Sequence, residues 1–528
     1  MLPEVTVGSI VEVSYVTVWL RRFVDAISEW PLQDELYTVK ERFRYRPFLG
    51  FVSVPTEWDR STMESQSICS YSNQEGSPAP QHGKDGLMEI DLTDVSAFAT
   101  EDYMPPQTDY KPSVICYYGG REFASSNQFW ITWQQRISKW NEEWLGKSSS
   151  LREAAAQIIG AETEPEKKLR KLYDRVQQLR NLSFERDRSA QEEKKEKLKP
   201  AENPKEVLQH GYGTHWELDA LFAALARAAG FDASLVATND RDARTFSPMI
   251  LWFGQLDGKA VLVEFNGKEL MLDPGSRFLP FGTLDWRHSG APGLSFKPGA
   301  AFVTTPDAQT SQLHRSAQLQ IAEDGSAQGE ITLEFQGQDA FVRRLEALNT
   351  DEAGRRKSLE DEVLAWFPSG SEVKLLESRG WDSTDDPLVA RLHIEAPQFG
   401  AMAGKRLVAP QFIFPPPFKS VFSASSRNYP IVFPYPFSEN DEVTLQFPAG
   451  YMLESSPLPR KAGLSYAGYE VTSAVEGNKV TTSRKFRLDE YSFEREKFSE
   501  LQNFFNVVQG GDTAQLVLRP EPAQTAAQ

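Results

Sequence analysis

The sequence predicts a multidomain α+β protein with a β-rich N-terminal domain, a core of helices and sheet, and a β-rich C-terminal region. The chain has 528 residues, more than one domain usually holds. Its 40% hydrophobic and 12% aromatic residues are enough for several buried cores. Strand-like alternation dominates both ends, whereas helical periodicity appears in the middle. We therefore expect domains at residues 1–148, 149–304 and 305–528, with a further boundary near 400–428 if the last forms two subdomains.

The N-terminal domain is predicted from three β-type segments. Residues 5–15 alternate as a strand does, and residues 30–39 and 101–117 lie in the same mostly β region. The last of these is a proline-bounded connection that leads into a strand. Four tryptophans follow where the pattern changes towards helix, and we expect them to pack in a core rather than bind carbohydrate: Trp130, Trp133, Trp140 and Trp144.

The core is predicted from one well-marked helix. Thr214 is a natural N-cap, and Glu217 three residues later completes a capping box. Apolar residues then recur at helical spacing until Gly230 ends the helix. His215 is its first residue, where the helix dipole favours negative charge. Because that position suits a thiolate better than an imidazolium, we expect His215 to be neutral.

Short sequence patterns predict the other elements of the core and of the C-terminal region. Pro165 begins a helix, and residues 185–199 form an exposed charged run. Core strands are expected at 233–237, 249–253, 261–265 and 270–272. A hairpin turns at Asp324-Gly325. Later elements are a helix at 351–367, strands at 429–435, 441–447 and 468–475, a helix at 491–508 and a strand at 515–518.

Composition excludes some partners. The formal net charge is −17, which argues against nucleic acid and anionic membranes as partners. The apolar runs are shorter than the ~18 residues that a membrane span needs, so we expect no membrane insertion. Met1 is not followed by a basic region and an apolar core, so we expect no signal peptide at this start. Cys69 and Cys116 could pair or stay reduced, so their number does not decide the compartment.

The helix and its flanks resemble the transglutaminase-like superfamily, in which a Gly-x-Cys motif opens an Ala/Leu-rich nucleophile helix. Gly213 and Glu217 match that motif, but the cysteine position holds His215. The family's next strand carries the catalytic histidine, and the corresponding segment here places Met249 there. The third element ends in Asp-Pro and supplies Asp273. By this resemblance, only the aspartate of the Cys-His-Asp triad is kept.

The resemblance also covers the flanking regions. It implies a papain-like fold for the core, between β-rich domains of unknown function found in bacterial periplasmic or secreted proteins. Residues 5–15 resemble the middle of the upstream domain, so we expect the chain to be truncated at its start and this strand to lack a neighbour. Residues 429–518 resemble the downstream β domain.

A degenerate triad predicts a protein without catalysis. Acyl transfer needs a nucleophile, a base and a group that orients the base. Met249 neither accepts nor donates a proton, so we expect a binding or scaffolding module for a peptide, protein or glycan, without a cofactor. The alternative is an active protease, amide hydrolase or acyltransferase whose nucleophile is not recognised. A third reading is a structural component without a ligand.

The candidate site is expected at one end of a cleft. His215 and Asp273 should lie close together, with Met249 on the strand between the helix and Asp273. Tyr212 and Trp216 flank His215 and are candidates for lining a binding cleft, although Trp216 would equally suit the core under the helix.

We expect no metal site. His210, His215, Glu217 and Asp219 are close in sequence, but the capping box accounts for Glu217. We place Asp219 on a different helix face from His215. The segment also lacks the His-x-x-x-His pair or cysteines typical of zinc sites.

Overall fold

The computed structural model describes residues 28–46, 50–53, 62–71, 80–83, 86–120, 125–185, 196, 198–299, 302–415, 422–454 and 458–521. The predicted strand at 5–15 lies outside these residues, as does most of the charged run at 185–199. The chain divides into two compact units. The first comprises residues 1–97, 112–126 and 250–252, and the second comprises 98–111, 127–249 and 253–528. The division into three domains stays a prediction.

The first unit is built from two small antiparallel sheets. One has the strand order β1-β7-β4-β3, with β1 Ser28–Pro31, β3 Gly50–Ser53, β4 Thr62–Tyr71 and β7 Ser113–Gly120. The other has the order β2-β6-β5, with β2 Thr38–Tyr45, β5 Gln81–His82 and β6 Met88–Val95. Their apolar residues form a small core of Leu32, Phe43, Ile90, Val114 and Cys116.

The second unit begins with helices that surround one central helix. Their bounds are α1 Ser126–Leu145, α2 Arg152–Ile159, α3 Pro165–Gln177, α4 Pro204–His210 and α5 His215–Ala228. Pro165 is the first residue of α3, as predicted. Every residue from Leu218 to Ala226 of α5 is at most 1% exposed. A helix buried on all sides forms the centre of a domain, and α5 packs on α3, α4 and the sheet.

That sheet is antiparallel and has the order β12-β11-β10-β13-β14. Its strands are β10 Asp232–Thr238, β11 Gly258–Phe265, β12 Lys268–Leu272, β13 Pro292–Ser295 and β14 Phe302–Thr304. A short parallel pair, β8 Arg180–Asn181 and β9 Tyr212–Gly213, leads into α5. The β11–β12 hairpin carries the chain back to the N-terminal end of α5, and this return builds the site described below.

The C-terminal region forms one large sheet of order β17-β18-β16-β15-β22-β26-β25-β24, in which β15 and β22 are parallel. The bounds are β15 Ser311–Ile321, β16 Ala327–Gln336, β17 Glu372–Arg379, β18 Leu388–Ala396, β22 Phe437–Gln446, β24 Arg460–Leu464, β25 Ala467–Glu476 and β26 Lys479–Leu488. Strands from both sides of residues 400–428 therefore share a sheet. The predicted hairpin around Asp324 and Gly325 is confirmed as β15–β16.

Smaller elements cover this sheet. A four-stranded sheet has the order β19-β20-β28-β23, with β19 Ala401–Ala403, β20 Arg406–Pro410, β23 Tyr451–Leu453 and β28 Gln515–Pro520. Strands β21 Ile431–Val432 and β27 Ser492–Phe493 form a separate pair. The helices are α6 Gln338–Ala347, α7 Glu352–Leu364 and α8 Phe498–Asp512. The α+β fold class with β-rich flanks is confirmed, although α8 begins later than expected and α6 was not predicted.

The C-terminal core contains a buried ion network. Arg484 is 0% exposed and forms ion pairs with Glu439, Asp441 and Asp512. Arg315 on β15 pairs with Asp441 at 2.7 Å and with Glu439 at 2.6 Å. Two guanidinium groups therefore face three carboxyl groups, and they tie β15, β22, β26 and α8 together.

Candidate functional site

The site starts at the N-terminus of α5. Thr214 adopts an extended conformation, and its hydroxyl accepts a hydrogen bond from the Glu217 N–H. The Glu217 carboxylate accepts one from the Thr214 N–H at 2.7 Å. The predicted capping box is confirmed, and it fixes His215 as the first helical residue. The His215 N–H donates to the Ser183 hydroxyl at 2.9 Å.

Asp273 comes from the turn that follows β12. The Tyr173 hydroxyl on α3 donates to the Leu279 carbonyl at 2.7 Å. The Gln177 amide donates to the Ser276 carbonyl at 2.7 Å and accepts from the Phe278 N–H at 3.0 Å. These buried bonds fasten the turn to α3 and set the direction of the Asp273 side chain.

The structure brings His215 and Asp273 into direct contact and adds a third residue. His215 Nε2 lies 2.8 Å from Asp273 Oδ1 and 3.3 Å from Asp219 Oδ2. The side chains of Asp219 and Asp273 are 0% and 1% exposed, whereas that of His215 is 20% exposed. One partly accessible imidazole therefore lies between two buried carboxyl groups, which we call the His-Asp-Asp cluster.

The expected neutral state of His215 is wrong. Burial alone would lower the pKa of the imidazole, but the carboxylates of Asp273 and Asp219 outweigh burial and raise this pKa to about 10. Two full charges at hydrogen-bonding distance exceed the partial charge of a helix end. His215 is therefore an imidazolium at neutral pH.

The two carboxyl groups respond differently. Burial and the nearby Asp273 carboxylate raise the pKa of Asp219 to about 6, against the effect of His215. Burial also acts to raise the pKa of Asp273, but His215 and hydrogen bonds from Ser276 hold it below its ordinary value. Asp273 is therefore the stronger electrostatic partner of the imidazole, and Asp219 is the weaker one.

Gly275 makes the cluster sterically feasible. A Cβ at this position would lie 2.2 Å from His215 Cδ2, 2.4 Å from the His215 carbonyl oxygen and 2.8 Å from Asp219 Oδ1. The Gly275 N–H donates to Asp219 Oδ1 at 2.8 Å, and its carbonyl accepts from the Asn181 amide at 2.6 Å. Only glycine permits this close approach of the turn to the helix.

The predicted position of Met249 is wrong. Met249 lies in a turn, its side chain is 72% exposed, and no strand forms at 249–253. The strand beside Asp273 is β11, whose pairing of Val261 with Leu272 brings its start next to the Asp-Pro turn. Residues 258–260 at that start are Gly, Lys and Ala, so this strand also offers no histidine.

Trp216 and Tyr212 make contacts of different kinds. The Trp216 ring packs on Trp140 and Trp144 of α1, with centroids 4.8 and 4.5 Å apart. The Tyr212 ring stacks on His210, and its hydroxyl contacts the backbone of Lys199. Their role in a binding cleft stays a prediction.

Sequence reasoning missed Asp219 because it misjudged the helix face. Residues four apart lie on the same face of an α-helix, so His215 and Asp219 are neighbours. That spacing was a sufficient signal. The donor atoms of His215, Asp219 and Asp273 all lie within 4.8 Å of one another, as in a group able to hold a metal ion.

A groove lies beside the cluster. It has a volume of about 530 Å³, and its lining includes Asn181, Phe184, Arg277 and residues 348–351. The Phe184 ring lies 6.1 Å from the His215 ring. Among the described residues, Arg277 forms no ion pair and its guanidinium lies over the Phe278 ring. Arg180 also lines the groove and forms ion pairs with Glu185 and Glu196 there. In the described part of the chain, Arg277 is therefore the groove's positive charge without an ion pair.

Cysteine chemistry lies elsewhere in the molecule. Cys116 on β7 is 0% exposed and disulfide-bonded. Cys69, the only other cysteine of the chain, stands directly opposite it in the β4–β7 pairing. No cysteine therefore belongs to the His-Asp-Asp cluster.

Comparisons with known proteins agree with this architecture. A family profile described as the transglutaminase-like superfamily matches residues 152–269. A second, described as a domain of unknown function with solved structure, DUF3858, matches residues 406–518. None of the curated proteins compared with the chain matches it. In the described part of the chain, each helix is too short or too polar to cross a bilayer.

A solved structure that matches most of the chain is only distantly similar to it. It is the crystal structure of a "putative protease" from Parabacteroides distasonis, 14% identical in sequence. The match covers 93% of this chain and 74% of that one, with a TM-score of 0.48. The family profiles carry the assignment: residues 152–269 form a transglutaminase-like core, and residues 406–518 match DUF3858.

Proposed function

We propose that the transglutaminase-like core is a non-catalytic binding or scaffolding module. The observation that carries this proposal is the 2.8 Å bond between His215 and Asp273 at the N-terminus of α5. By the resemblance of its motif to that of the superfamily, this imidazole takes the position of the nucleophile, and the bond engages the aspartate that would orient a base. Among the described residues, neither a thiol nor a free base stands at the helix end.

The disulfide supports the same proposal. A cysteine in a disulfide supplies no thiolate, and Cys116 is also completely buried. A disulfide between neighbouring strands is typical of proteins that fold in an oxidising compartment. We therefore favour a periplasmic or extracellular location, as in the bacterial relatives that the sequence resembles.

The partner that fits best is a peptide segment with an acidic group. The groove beside the cluster combines the Phe184 ring with the guanidinium of Arg277, which has no ion pair among the described residues. Arginine binds carboxylates through two parallel hydrogen bonds. A glycan would use the polar side chains of residues 349–351 instead, and binding would then depend little on Arg277.

Turnover assays test the absence of catalysis. Amine incorporation into a glutamine-containing protein, peptide hydrolysis and amide hydrolysis should all stay at the rate of a buffer blank. Alkylation after reduction should change nothing. Turnover that alkylation abolishes would favour the alternative, an active enzyme of the superfamily, and turnover that His215→Ala abolishes would overturn the proposal directly.

A further inference from the structure

We propose that His215, Asp219 and Asp273 bind a divalent transition-metal ion, with zinc preferred. The inference goes beyond the proposed binding function and does not depend on it. Three side chains of the kinds that bind zinc converge from two elements, α5 and the turn after β12, with donor atoms within 4.8 Å of one another.

The first support is an oxygen atom without a hydrogen-bond partner. A ring N–H carries one hydrogen, and Asp273 Oδ1 at 2.8 Å receives it. Asp219 Oδ2, although 3.3 Å from the same nitrogen, is completely buried and forms no hydrogen bond. A buried acceptor without a partner costs about 1–3 kcal/mol. This oxygen points at the cluster and is free to ligate an ion there.

The second support is charge. Asp219 and Asp273 are both almost completely buried, and in the described part of the chain neither forms an ion pair with lysine or arginine. One imidazolium offsets only one of two carboxylates. A divalent ion that displaces the Nε2 proton of His215 to solvent is bound by a neutral imidazole and offsets both carboxylates, which removes the excess buried charge.

The third support is geometry. Zinc binds nitrogen and oxygen at about 2.0–2.2 Å, so ligand atoms of a tetrahedral site lie roughly 3.3–3.5 Å apart. The nitrogen–oxygen distances here are 2.8 and 3.3 Å, so a small widening would admit the ion. The 20% exposed His215 side chain provides access for the ion and for water as a fourth ligand.

The surroundings hold the carboxyl groups in place. Asp219 Oδ1 accepts the Gly275 N–H, and Asp273 Oδ1 accepts the Ser276 N–H, each at 2.8 Å. Metal-binding carboxylates are normally oriented by such outer hydrogen bonds. An imidazole ligand favours zinc over magnesium and calcium, which prefer oxygen alone.

The test is calorimetric titration of the full chain, with its affinity tag removed and its metals stripped by a chelator that is then dialysed away. We expect one equivalent of Zn²⁺ to bind, with Mg²⁺ and Ca²⁺ at least about 100-fold weaker. Asp219→Asn should weaken Zn²⁺ binding at least ~10–100-fold, the range seen even for outer partners of a ligand. The matched control is His393→Ala, because His393 pairs with Glu395 at 3.6 Å outside the cluster, and it should leave binding unchanged.

If circular dichroism shows that Asp219→Asn does not fold, X-ray absorption spectroscopy of the Zn²⁺-loaded wild-type protein tests the proposal instead. A first shell of nitrogen and oxygen with one imidazole supports the proposal. No bound Zn²⁺, equal binding by a folded Asp219→Asn variant, or a first shell without exactly one imidazole overturns it. The heat and stoichiometry of the titration measure metal binding at this site, whereas product formation measures turnover. Each proposal can therefore fail without the other.

Discussion

At the scale of single residues, the His215 imidazole is the positively charged partner of two buried carboxyl groups. Asp273 bonds its ring at 2.8 Å and Asp219 lies 3.3 Å away. Removal of one member of a buried ion pair is costly because the remaining charge stays in a medium of low dielectric constant. The stability of the core should therefore depend strongly on this imidazole.

We expect His215→Ala to lower the free energy of unfolding of the metal-free protein by about 3–5 kcal/mol, because it leaves both carboxyl groups without an opposite charge. Asp273→Asn should cost more than Asp219→Asn, since only Asp273 accepts the imidazole hydrogen bond. Urea titrations followed by tryptophan fluorescence measure these costs. His393→Ala is the control with an exposed partner, and equal costs for the two Asn variants would contradict the assignment of roles.

Gly275 gives a second prediction at this scale. Gly275→Ala should destabilise the protein by about 1–3 kcal/mol, the usual cost of overpacking, because its Cβ would overlap His215. Gly463→Ala is the matched control, since no atom lies within 4 Å of the position of its Cβ. Thermal melts of both variants provide the measurement. A Gly275→Ala variant as stable as the control would show that the turn moves freely away from α5.

At the scale of secondary-structure elements, the segment predicted as a strand at 249–253 follows a residue that a side chain, rather than a neighbouring strand, holds in place. The Gln255 amide donates to the Ser247 carbonyl at 3.1 Å and accepts from the Ser247 N–H at 3.0 Å. Pro248 follows and has no N–H for a strand ladder. The backbone just before the segment thus bonds to one glutamine side chain instead of a neighbouring strand, which hydrophobic alternation does not reveal.

The buried ion network gives a prediction about the large sheet. Asp441 contacts both Arg315 and Arg484, so Asp441→Asn should destabilise the protein by about 3–5 kcal/mol. Glu439→Gln should cost less, because only one Glu439 oxygen accepts hydrogen bonds from the two arginines, whereas both Asp441 oxygens do. Chemical unfolding of both variants at neutral pH tests the order. A larger cost for Glu439→Gln would show that the third carboxylate is required.

The same network predicts a pH dependence. Burial raises the pKa of Glu439 above its ordinary 4.5, despite Arg315 on β15 and Arg484 on β26, and Asp441 and Asp512 add to the rise. Above pH 4.5 the folded protein therefore holds a proton that the unfolded chain has released, so stability falls as pH rises through this window. Glu439→Gln should remove that part of the slope. Unfolding free energies measured from pH 4.5 to neutrality for both proteins check it, and parallel curves would contradict it.

At the scale of the whole molecule, the chain forms two compact units, and the disulfide of Cys116 belongs to the first. Cross-linking strands β4 and β7 restricts the unfolded chain more than the folded one. The second unit has no cysteine among its residues, so its stability should be independent of redox conditions.

We expect reduction to destabilise the first unit by about 4 kcal/mol, the chain-entropy value for a closed loop of roughly 50 residues. Hydrogen exchange with and without reductant should show faster exchange in β7 and unchanged exchange in β10 and β11. The double variant Cys69→Ser and Cys116→Ser is the control, in which reductant should have no effect. Faster exchange in β10 upon reduction would show that the units are coupled.

Local signals in the sequence predicted much of this molecule, and what was missed has two causes: one misread local spacing and contacts between distant residues. The capping box at Thr214 and the turn at Gly325 are encoded within a few residues, and the structure contains both. The place of Asp273 beside His215 followed from family resemblance. The role of Asp219 was missed because it was placed on the wrong helix face. The parallel pairing of β15 with β22 was missed because it joins residues too far apart in sequence for a periodic pattern to indicate it.

That parallel pairing has a consequence for how the protein is made. Strand β15 ends at Ile321, whereas its partner β22 begins at Phe437, so roughly a hundred residues of chain must leave the ribosome before the two meet. At ~5–20 residues per second, one side of β15 stays open for about 5–20 s of synthesis. An open strand edge invites pairing with other chains. Nascent chains stalled before Phe437 should therefore recruit chaperones more than chains stalled after Leu488, where the sheet interior is complete.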